Sequence, residues 1–255
     1  MARTASLLSR LLGAAPPTLK RAAALKSVTL SASDAQGLRS ASLEDGQDYW
    51  LSGLLSLGNG CRSASNCSFT WATVQAYYAA FYLTRAVLAF QGTSINFVDF
   101  RGDFRHIGVV ARAGETPFPI SGNTHDGILR YADKNSSIPR MSNQPISHTK
   151  ASEWLVEQRN LANYKVCRFS DPSPTPCMAT ASRQGIRPIL NAYLATPLTF
   201  AFDEDHAILA YPVAIAVELA RAQSNAFTDA EKAHLRQMFS DQAGPIASVE
   251  PLLSE

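Results

Sequence analysis

Charged side chains are scarce in this chain of 255 residues, because Asp, Glu, Lys and Arg together make up only 17% of it. A typical soluble domain has roughly 25%. So few charges cover the surface of a folded chain poorly, and we therefore expect a homodimer or an interface with a protein partner. Hydrophobic residues reach 46%, which indicates a globular fold. These figures exclude a disordered chain, a collagen, a coiled coil, a disulfide mini-protein and an integral membrane protein.

Sequence signatures of several common functions are absent. There is no phosphate-binding loop, no Gly-x-Gly-x-x-Gly, no Gly-x-Ser-x-Gly and no His-x-x-x-His. The cysteines, Cys61, Cys67, Cys167 and Cys177, have the spacings C-x5-C and C-x9-C, which are not typical of metal sites. We therefore expect no metal and no cofactor. Because no export signal is evident, we expect the thiols to be reduced.

Acidic residues are missing from positions 1–33, which are rich in Ala, Ser and Leu and contain five basic residues. This composition is typical of an amphipathic organellar presequence, but also of a flexible tail or a tail docked on a partner. We favour the tail and a cytoplasmic location, with a cleaved organellar presequence as the alternative. The predicted organisation is a basic N-terminal arm over 1–40, disordered or docked, a helical domain over 41–242 and a C-terminal tail over 243–255.

The clearest predicted element is a helix with Ser68 as its N-cap and Gly92 just after its end. Trp71, Tyr78 and Phe81 follow the spacing of one helix face, and the opposite side is nearly as apolar. A helix that is apolar on all sides lies at the centre of a bundle. Polar residues inside it make it a poor membrane span, so we expect no membrane association.

The rest of the chain also has mainly helical patterns. Glycines 58 and 60 are expected to end a short helix over 44–57, and Pro188 to kink or break a helix over 177–194. The segment 95–113 fits a hairpin or a loop that leads into a short helix. Other helices are predicted over 128–133, 150–166 and 206–224, and after a capping box at 228–231. The predicted fold class is mainly α, an up-and-down four-helix bundle core with an irregular or β-hairpin insertion and extra C-terminal helices.

Three segments together resemble a known family. Residues 77–92, YYAAFYLTRAVLAFQG, resemble the second helix of HEPN-domain proteins, which has paired tyrosines, small residues, an aromatic residue, Arg-Ala-aliphatic and a final Gly. Residues 155–164, LVEQRNLANY, are similar to a later helix of that family. Between them, the sequence that starts His106-Ile-Gly resembles a segment found in some HEPN subgroups. Order and rough spacing agree over 45–166, about half of the chain.

The resemblance implies a four-helix bundle, often paired into a dimer, and a role connected with RNA. Active HEPN members are metal-independent ribonucleases of toxin–antitoxin and antiviral defence systems and of RNA processing. Inactive members bind nucleic acid or a protein partner. We therefore expect a HEPN-like protein that acts on or binds RNA. The alternative is a non-catalytic helical adaptor that binds a protein partner.

Metal-independent cleavage of RNA needs a base for the ribose 2′-OH and a cation for the phosphate. The family provides both as Arg-x4–6-His on one helix, and the resemblance places the arginine at Arg159. No histidine follows at that spacing, where Asn163 and Tyr164 stand instead. Tyr164 or His106 would have to replace the missing imidazole, and His106 is the candidate catalytic base. Asn163 and Tyr164 are candidate binding residues, because they lie about one helical turn beyond Arg159.

Arg85 lies in the otherwise apolar helix, where a charge must be paired or must face a cleft. Two interpretations stay open. Arg85 is either a structural arginine bound by Glu or by backbone carbonyls, or an anion contact beside Arg159. Tyr77 and Tyr78 are interpreted as packing residues, because aromatic platforms that stack on RNA bases lie on open surfaces.

Overall fold

The computed structural model describes residues 2–13, 21–100, 103–122, 124–135, 144–165 and 167–254. Most of these residues are helical, which confirms the predicted mainly α fold. The α-helices are α1 (Arg3–Gly13), α2 (Arg21–Ser27), α3 (Ala32–Ser65), α4 (Phe69–Phe90), α5 (Thr124–Asn135), α6 (Ala151–Asn163), α7 (Ala179–Gln184), α8 (Ile186–Ala195), α9 (Pro197–Phe200), α10 (Ala207–Ala222) and α11 (Asp229–Met238). Short 3₁₀ helices cover Pro176–Met178 and Ala247–Leu252.

The strands are short apart from one hairpin. They are β1 (Thr93–Phe100), β2 (Asp103–Val110), β3 (Phe118–Pro119), β4 (Pro145–Ile146), β5 (Thr149–Lys150), β6 (Ser240–Asp241) and β7 (Gly244–Pro245). The chain divides into two compact units. Unit 1 comprises Met1–Tyr49 and Arg85–Ser137, and unit 2 comprises Trp50–Thr84 and Ile138–Glu255.

Unit 1 contains a three-stranded antiparallel sheet in the order β1-β2-β3. The β1–β2 hairpin runs in register from Thr93 opposite Val110 to Phe97 opposite His106 and beyond. Of the two structures predicted for 95–113, the hairpin is therefore correct. Val98 of β1 and Ile107 and Val109 of β2 belong to the buried core that the hairpin shares with the helices of the unit. The buried apolar core of unit 1 consists of Ala5, Leu8, Leu12, Ala24, Leu25, Leu30, Leu38, Val98, Ile107 and Val109.

The N-terminal arm is folded where the structure describes it, and this differs from a disordered arm over 1–40. The carboxylate of Asp45 accepts hydrogen bonds from the backbone N–H of Arg3 (2.8 Å) and of Thr4 (3.0 Å), and from the Thr4 hydroxyl (2.6 Å). Asp45 thus caps the first turn of α1, where backbone N–H groups have no partner within the helix. Leu8 and Leu12 of α1 are buried. The boundary at residue 40 falls inside α3.

Helix α3 is longer than the helix predicted over 44–57, and the prediction that glycines 58 and 60 end it is wrong. Within unit 2, a Cβ on Gly58 would lie 2.7 Å from Cβ of Met238, and one on Gly53 would lie 2.6 Å from Cγ of Leu83. Both contacts are closer than a side chain allows. The glycines therefore let other residues approach the helix closely, and tertiary packing offsets their poor helix propensity.

Helix α4 confirms the predicted helix between Ser68 and Gly92. Gly92 follows its last turn with φ of +79°, the left-handed conformation that glycine adopts most easily. Near the other end, the backbone N–H of Thr70 donates to Oδ1 of Asp171 at 3.1 Å. Most residues of α4 are buried, but Trp71, which was predicted to belong to the packed face, is 48% exposed.

The core of unit 2 includes α10, in which every residue from Ala207 to Val217 is buried. The helices α8 and α9 and the 3₁₀ helix Ala247–Leu252 contact it. The C-terminal tail over 243–255 is thus folded in part, and both Leu252 and Leu253 are buried. The capping box is confirmed, since the Thr228 hydroxyl accepts from the Glu231 N–H and the Glu231 carboxylate accepts from the Thr228 N–H.

The predicted break in the helix over 177–194 exists, but Gly185 causes it and not Pro188. Gly185 has φ of +81° and separates α7 from α8. Pro188 is the third residue of α8, in the first turn, where the missing N–H of proline has no intrahelical partner to lose. The up-and-down four-helix bundle stays a prediction. Within the described part of the chain, no helix is both long and apolar enough to cross a bilayer.

Candidate functional site

Arg159 belongs to the buried face of α6 in unit 2. Leu155, Arg159 and Ala162 follow one another at spacings of four and three residues, and all three are buried. The sequence therefore turns the guanidinium inwards, and Arg159 is only 8% exposed. Its Cζ lies 5.0 Å from the ring centroid of Tyr77 on α4 and 5.6 Å from that of Tyr164 just beyond α6.

The Arg159 guanidinium is not compensated by a carboxylate among the described residues. Its Nε is buried and has no hydrogen-bond partner there. The nearby acidic residue on the same helix, Glu157, pairs instead with Nζ of Lys165 at 2.6 Å. Contact with two aromatic rings stabilises a cation by about 0.5–2 kcal/mol. A guanidinium has five N–H donors, however, and ring faces do not accept hydrogen bonds from them as oxygen atoms do.

The two predicted binding residues beside Arg159 behave differently. Tyr164 is 68% exposed, so its ring contacts both solvent and the Arg159 guanidinium. Asn163 ends α6 and is half-buried, and no hydrogen bond joins it to Arg159 in the part of the chain that the structure describes. Arg159 and Tyr164 are thus brought together with Tyr77. Tyr77 is fully buried, as a packing residue would be.

Arg85 lies in unit 1 and has oxygen acceptors. Its Nη2 donates to the hydroxyl of Tyr49 in a short hydrogen bond and to the carbonyl of Ile95 at 3.3 Å. Its Cζ lies 4.1 Å from the Tyr49 ring centroid. Burial raises the pKa of Tyr49, which keeps its hydroxyl neutral. The cavity beside Arg85 has a volume of about 10 Å³, too small for a ligand. These contacts match the structural interpretation of Arg85.

His106 also lies in unit 1, on β2, directly opposite Phe97. The two rings are 4.8 Å apart, and Phe97 is 55% exposed. Burial and, to a smaller extent, the positive charge of Arg85 lower the pKa of His106. The imidazole is therefore neutral at pH 7, the form that accepts a proton. Because His106 lies on a strand, it does not share a helix face with any arginine.

The structure thus groups the predicted site residues into two sets. Arg159, Asn163 and Tyr164 belong to unit 2, whereas Arg85 and His106 belong to unit 1. None of the five lines the cavity of about 680 Å³ that unit 2 contains between residues such as Arg62, Phe69 and Asp241. In the described parts of the chain, no three His, Cys, Asp or Glu side chains lie close enough to hold a metal ion.

Sequence reasoning missed exposed aromatic residues near the ends of α4 and α6. Trp71 and Phe169 are both about half exposed, and their ring centroids are 6.1 Å apart. Trp71 fits the apolar pattern of its helix, and this pattern predicts a buried side chain. The only sequence signal at Phe169 is its position beside Arg168, in a segment that ends at prolines.

Comparison with known proteins identifies no relative of this chain. No protein-family model matches the sequence, and neither the curated proteins nor the solved structures contain a significant match.

Proposed function

We propose that this chain is a HEPN-like RNA-binding protein that contacts a phosphate of RNA through Arg159. The supporting observation is the Arg159 side chain, which is 8% exposed and whose buried Nε lacks a hydrogen-bond partner among the described residues. Burying a cation without acceptors is unfavourable, and an anionic ligand would relieve this cost. A phosphate offers several oxygens to the planar fork of N–H donors, a better match than a lysine ammonium allows.

The proposal is binding, with cleavage as a stronger version that needs a base. A neutral imidazole suits that role because it accepts a proton near pH 7. The predicted base is therefore His106, whose pKa is lowered by burial and by the charge of Arg85. If the chain is a ribonuclease, His106→Ala should abolish RNA cleavage while RNA binding remains. Cleavage that persists in this variant would exclude His106 as the base.

The test of binding is the salt dependence of RNA affinity. We expect Arg159→Gln to weaken binding of a fluorescein-labelled single-stranded oligouridylate at low salt by about ten-fold. The slope of log K against log salt concentration should fall by about 0.7, the contribution of one phosphate contact on a single strand. Fluorescence anisotropy titrations at several salt concentrations measure both quantities.

Arg221→Gln is the matched control, because Arg221 is an exposed arginine of unit 2 that pairs with Glu218. It removes the same charge and should leave the salt slope unchanged. An identical loss in both variants would mean that Arg159 contributes only to net charge. If the wild-type chain does not bind RNA at low salt, the RNA proposal fails. The adaptor alternative would then be favoured by a protein complex that survives high salt.

A further inference from the structure

In unit 2, helix α6 and residues that follow it contact α4. Helix α6 places Arg159 over Tyr77 of α4, and the chain then continues to Phe169, which meets Trp71 of the same helix. Asp171, two residues further on, accepts a hydrogen bond from the backbone N–H of Thr70, near the start of α4. The segment after α6 therefore runs back towards the start of α4. The exposed aromatic strip, as we call it, consists of Tyr164, Phe169 and Trp71.

The rings of the strip are accessible to an incoming ligand. Tyr164 is 68% exposed, Trp71 48% and Phe169 45%. Phe169 and Trp71 meet edge to face, with an angle of 76° between the ring planes, so they are not stacked on each other in parallel. Large aromatic rings left this open indicate a site of interaction more than a site of internal packing.

Basic residues alternate with the rings along the same segment. Lys165 and Arg168 are exposed and lie between Tyr164 and Phe169 in the sequence. Lys165 pairs with Glu157, but such an exposed ion pair is weak and easily exchanged for another anion. Arg168 forms no ion pair among the described residues, and Arg159 adds its guanidinium at the other end of the segment.

Aromatic faces next to cations match the chemistry of single-stranded nucleic acid. Unpaired bases stack on exposed rings, while the phosphates that link them are attracted to Lys and Arg. Bases of an RNA duplex are stacked on each other and cannot reach a protein ring. A protein partner matches the strip less well, because the core of a protein interface is depleted in lysine.

We propose that the exposed aromatic strip stacks on the unpaired bases of single-stranded RNA, with Trp71 as the principal platform. This inference rests on the RNA-binding function proposed above and specifies the strand type. Trp71 and Tyr77 are six residues apart on α4, which corresponds to about 9 Å along the helix axis and about 120° around it. The base platform at Trp71 and the phosphate contact at Arg159 are therefore separate contacts, which can be tested independently.

Trp71 is the tryptophan whose fluorescence an added ligand can change by direct contact. The chain has three tryptophans, and the other two, Trp50 and Trp154, are buried. Stacking of a base on Trp71 should quench its emission in a saturable way when an oligouridylate of about 12 nucleotides is added. RNA that binds by anisotropy without any quenching would overturn the proposal.

Two probes separate the platform from the phosphate contact. Trp71→Ala should weaken the binding of the oligouridylate about five-fold or more, and should leave the binding of an abasic ribose-phosphate oligomer of equal length unchanged. Arg159→Gln should weaken the binding of both oligomers. Trp71→Phe keeps a ring and should lose less affinity than Trp71→Ala, which guards against a loss caused by misfolding.

The outcomes distinguish this inference from the proposed function. If Arg159→Gln weakens binding of both oligomers but Trp71→Ala has no effect, the RNA-binding function stands and the platform is refuted. If the wild-type chain binds neither oligomer, both proposals fail. Equal affinity of Trp71→Ala and wild type for single strands, or equal wild-type affinity for a duplex and a single strand, would also refute the preference for unpaired bases.

Discussion

Two arginines of this chain lie against tyrosine rings, and their surroundings differ. Arg85 of unit 1 lies 4.1 Å from the ring centroid of Tyr49 and donates to two oxygens. Arg159 of unit 2 lies 5.0 Å from the ring centroid of Tyr77, and its buried Nε finds no acceptor among the described residues. The aromatic contact is thus common to both, and the hydrogen bonds are not.

The difference separates two roles for a buried guanidinium. An arginine with oxygen acceptors is satisfied within the fold, and its removal leaves those oxygens without a donor. For an arginine without acceptors, the free-energy cost of removing its charge from water is not compensated. The first type stabilises a fold, and the second is a candidate for ligand binding. Stability measurements can therefore test the assignment without any ligand.

The largest effect is expected for Arg85→Met, which should lower the free energy of unfolding by about 2–3 kcal/mol. The substitution keeps an unbranched side chain but leaves the Tyr49 hydroxyl and the Ile95 carbonyl without their donor. Urea unfolding followed by circular dichroism measures the change. A loss below about 0.5 kcal/mol would show that the hydrogen bonds of Arg85 contribute little, as at exposed sites.

The opposite sign is expected for Arg159→Met, which should raise the free energy of unfolding by about 1 kcal/mol. Methionine fills the space between the tyrosine rings without the cost of a buried charge, and this gain exceeds the lost cation–π attraction. The same urea titration measures the change, with Arg221→Gln as the control at an exposed site. A marked destabilisation would assign Arg159 a structural role and would weaken the case for a ligand.

Local sequence signals predicted the elements that depend on local contacts. The helix between Ser68 and Gly92 and the capping box at Thr228 were found because a cap, an apolar run and a terminating glycine lie close together in the chain. Such signals act within a few residues and need no knowledge of the tertiary structure. The mainly α fold class followed from them.

Features that depend on contacts between distant segments were not predicted from these local signals. Glycines 58 and 60 resemble a helix end, and only the close approach of residues such as Met238 to Gly58 explains why α3 continues. The sequence of the first helix resembles that of a free tail, and the cap that Asp45 provides is a contact between distant segments. Helix periodicity places Arg159 on a buried face, but its lack of a carboxylate partner among the described residues depends on which side chains of other elements surround it. That information is not local to the sequence.

The smallest effect concerns His106, whose pKa is lowered first by burial and then by the charge of Arg85. Arg85→Met should therefore raise the His106 pKa, though not above the usual value of about 6.5, because the burial remains. The control Arg221→Gln should leave it unchanged. NMR titration of the imidazole signals measures the shift. An unchanged pKa in Arg85→Met would mean that the two side chains do not interact electrostatically.

The same shift makes the stability of the fold depend on pH. Between the lowered pKa of the folded state and about 6.5, the unfolded chain binds more protons at His106 than the folded chain does. The contribution of His106 to stability is therefore fully present above about 6.5 and is lost as the pH falls through this interval. His106→Gln should flatten the dependence, and Arg85→Met should narrow the interval, which urea unfolding at several pH values would detect. If the pH interval has the same width in wild type and in Arg85→Met, burial alone lowers the pKa of His106. Arg85 would then have no electrostatic effect on this neighbour.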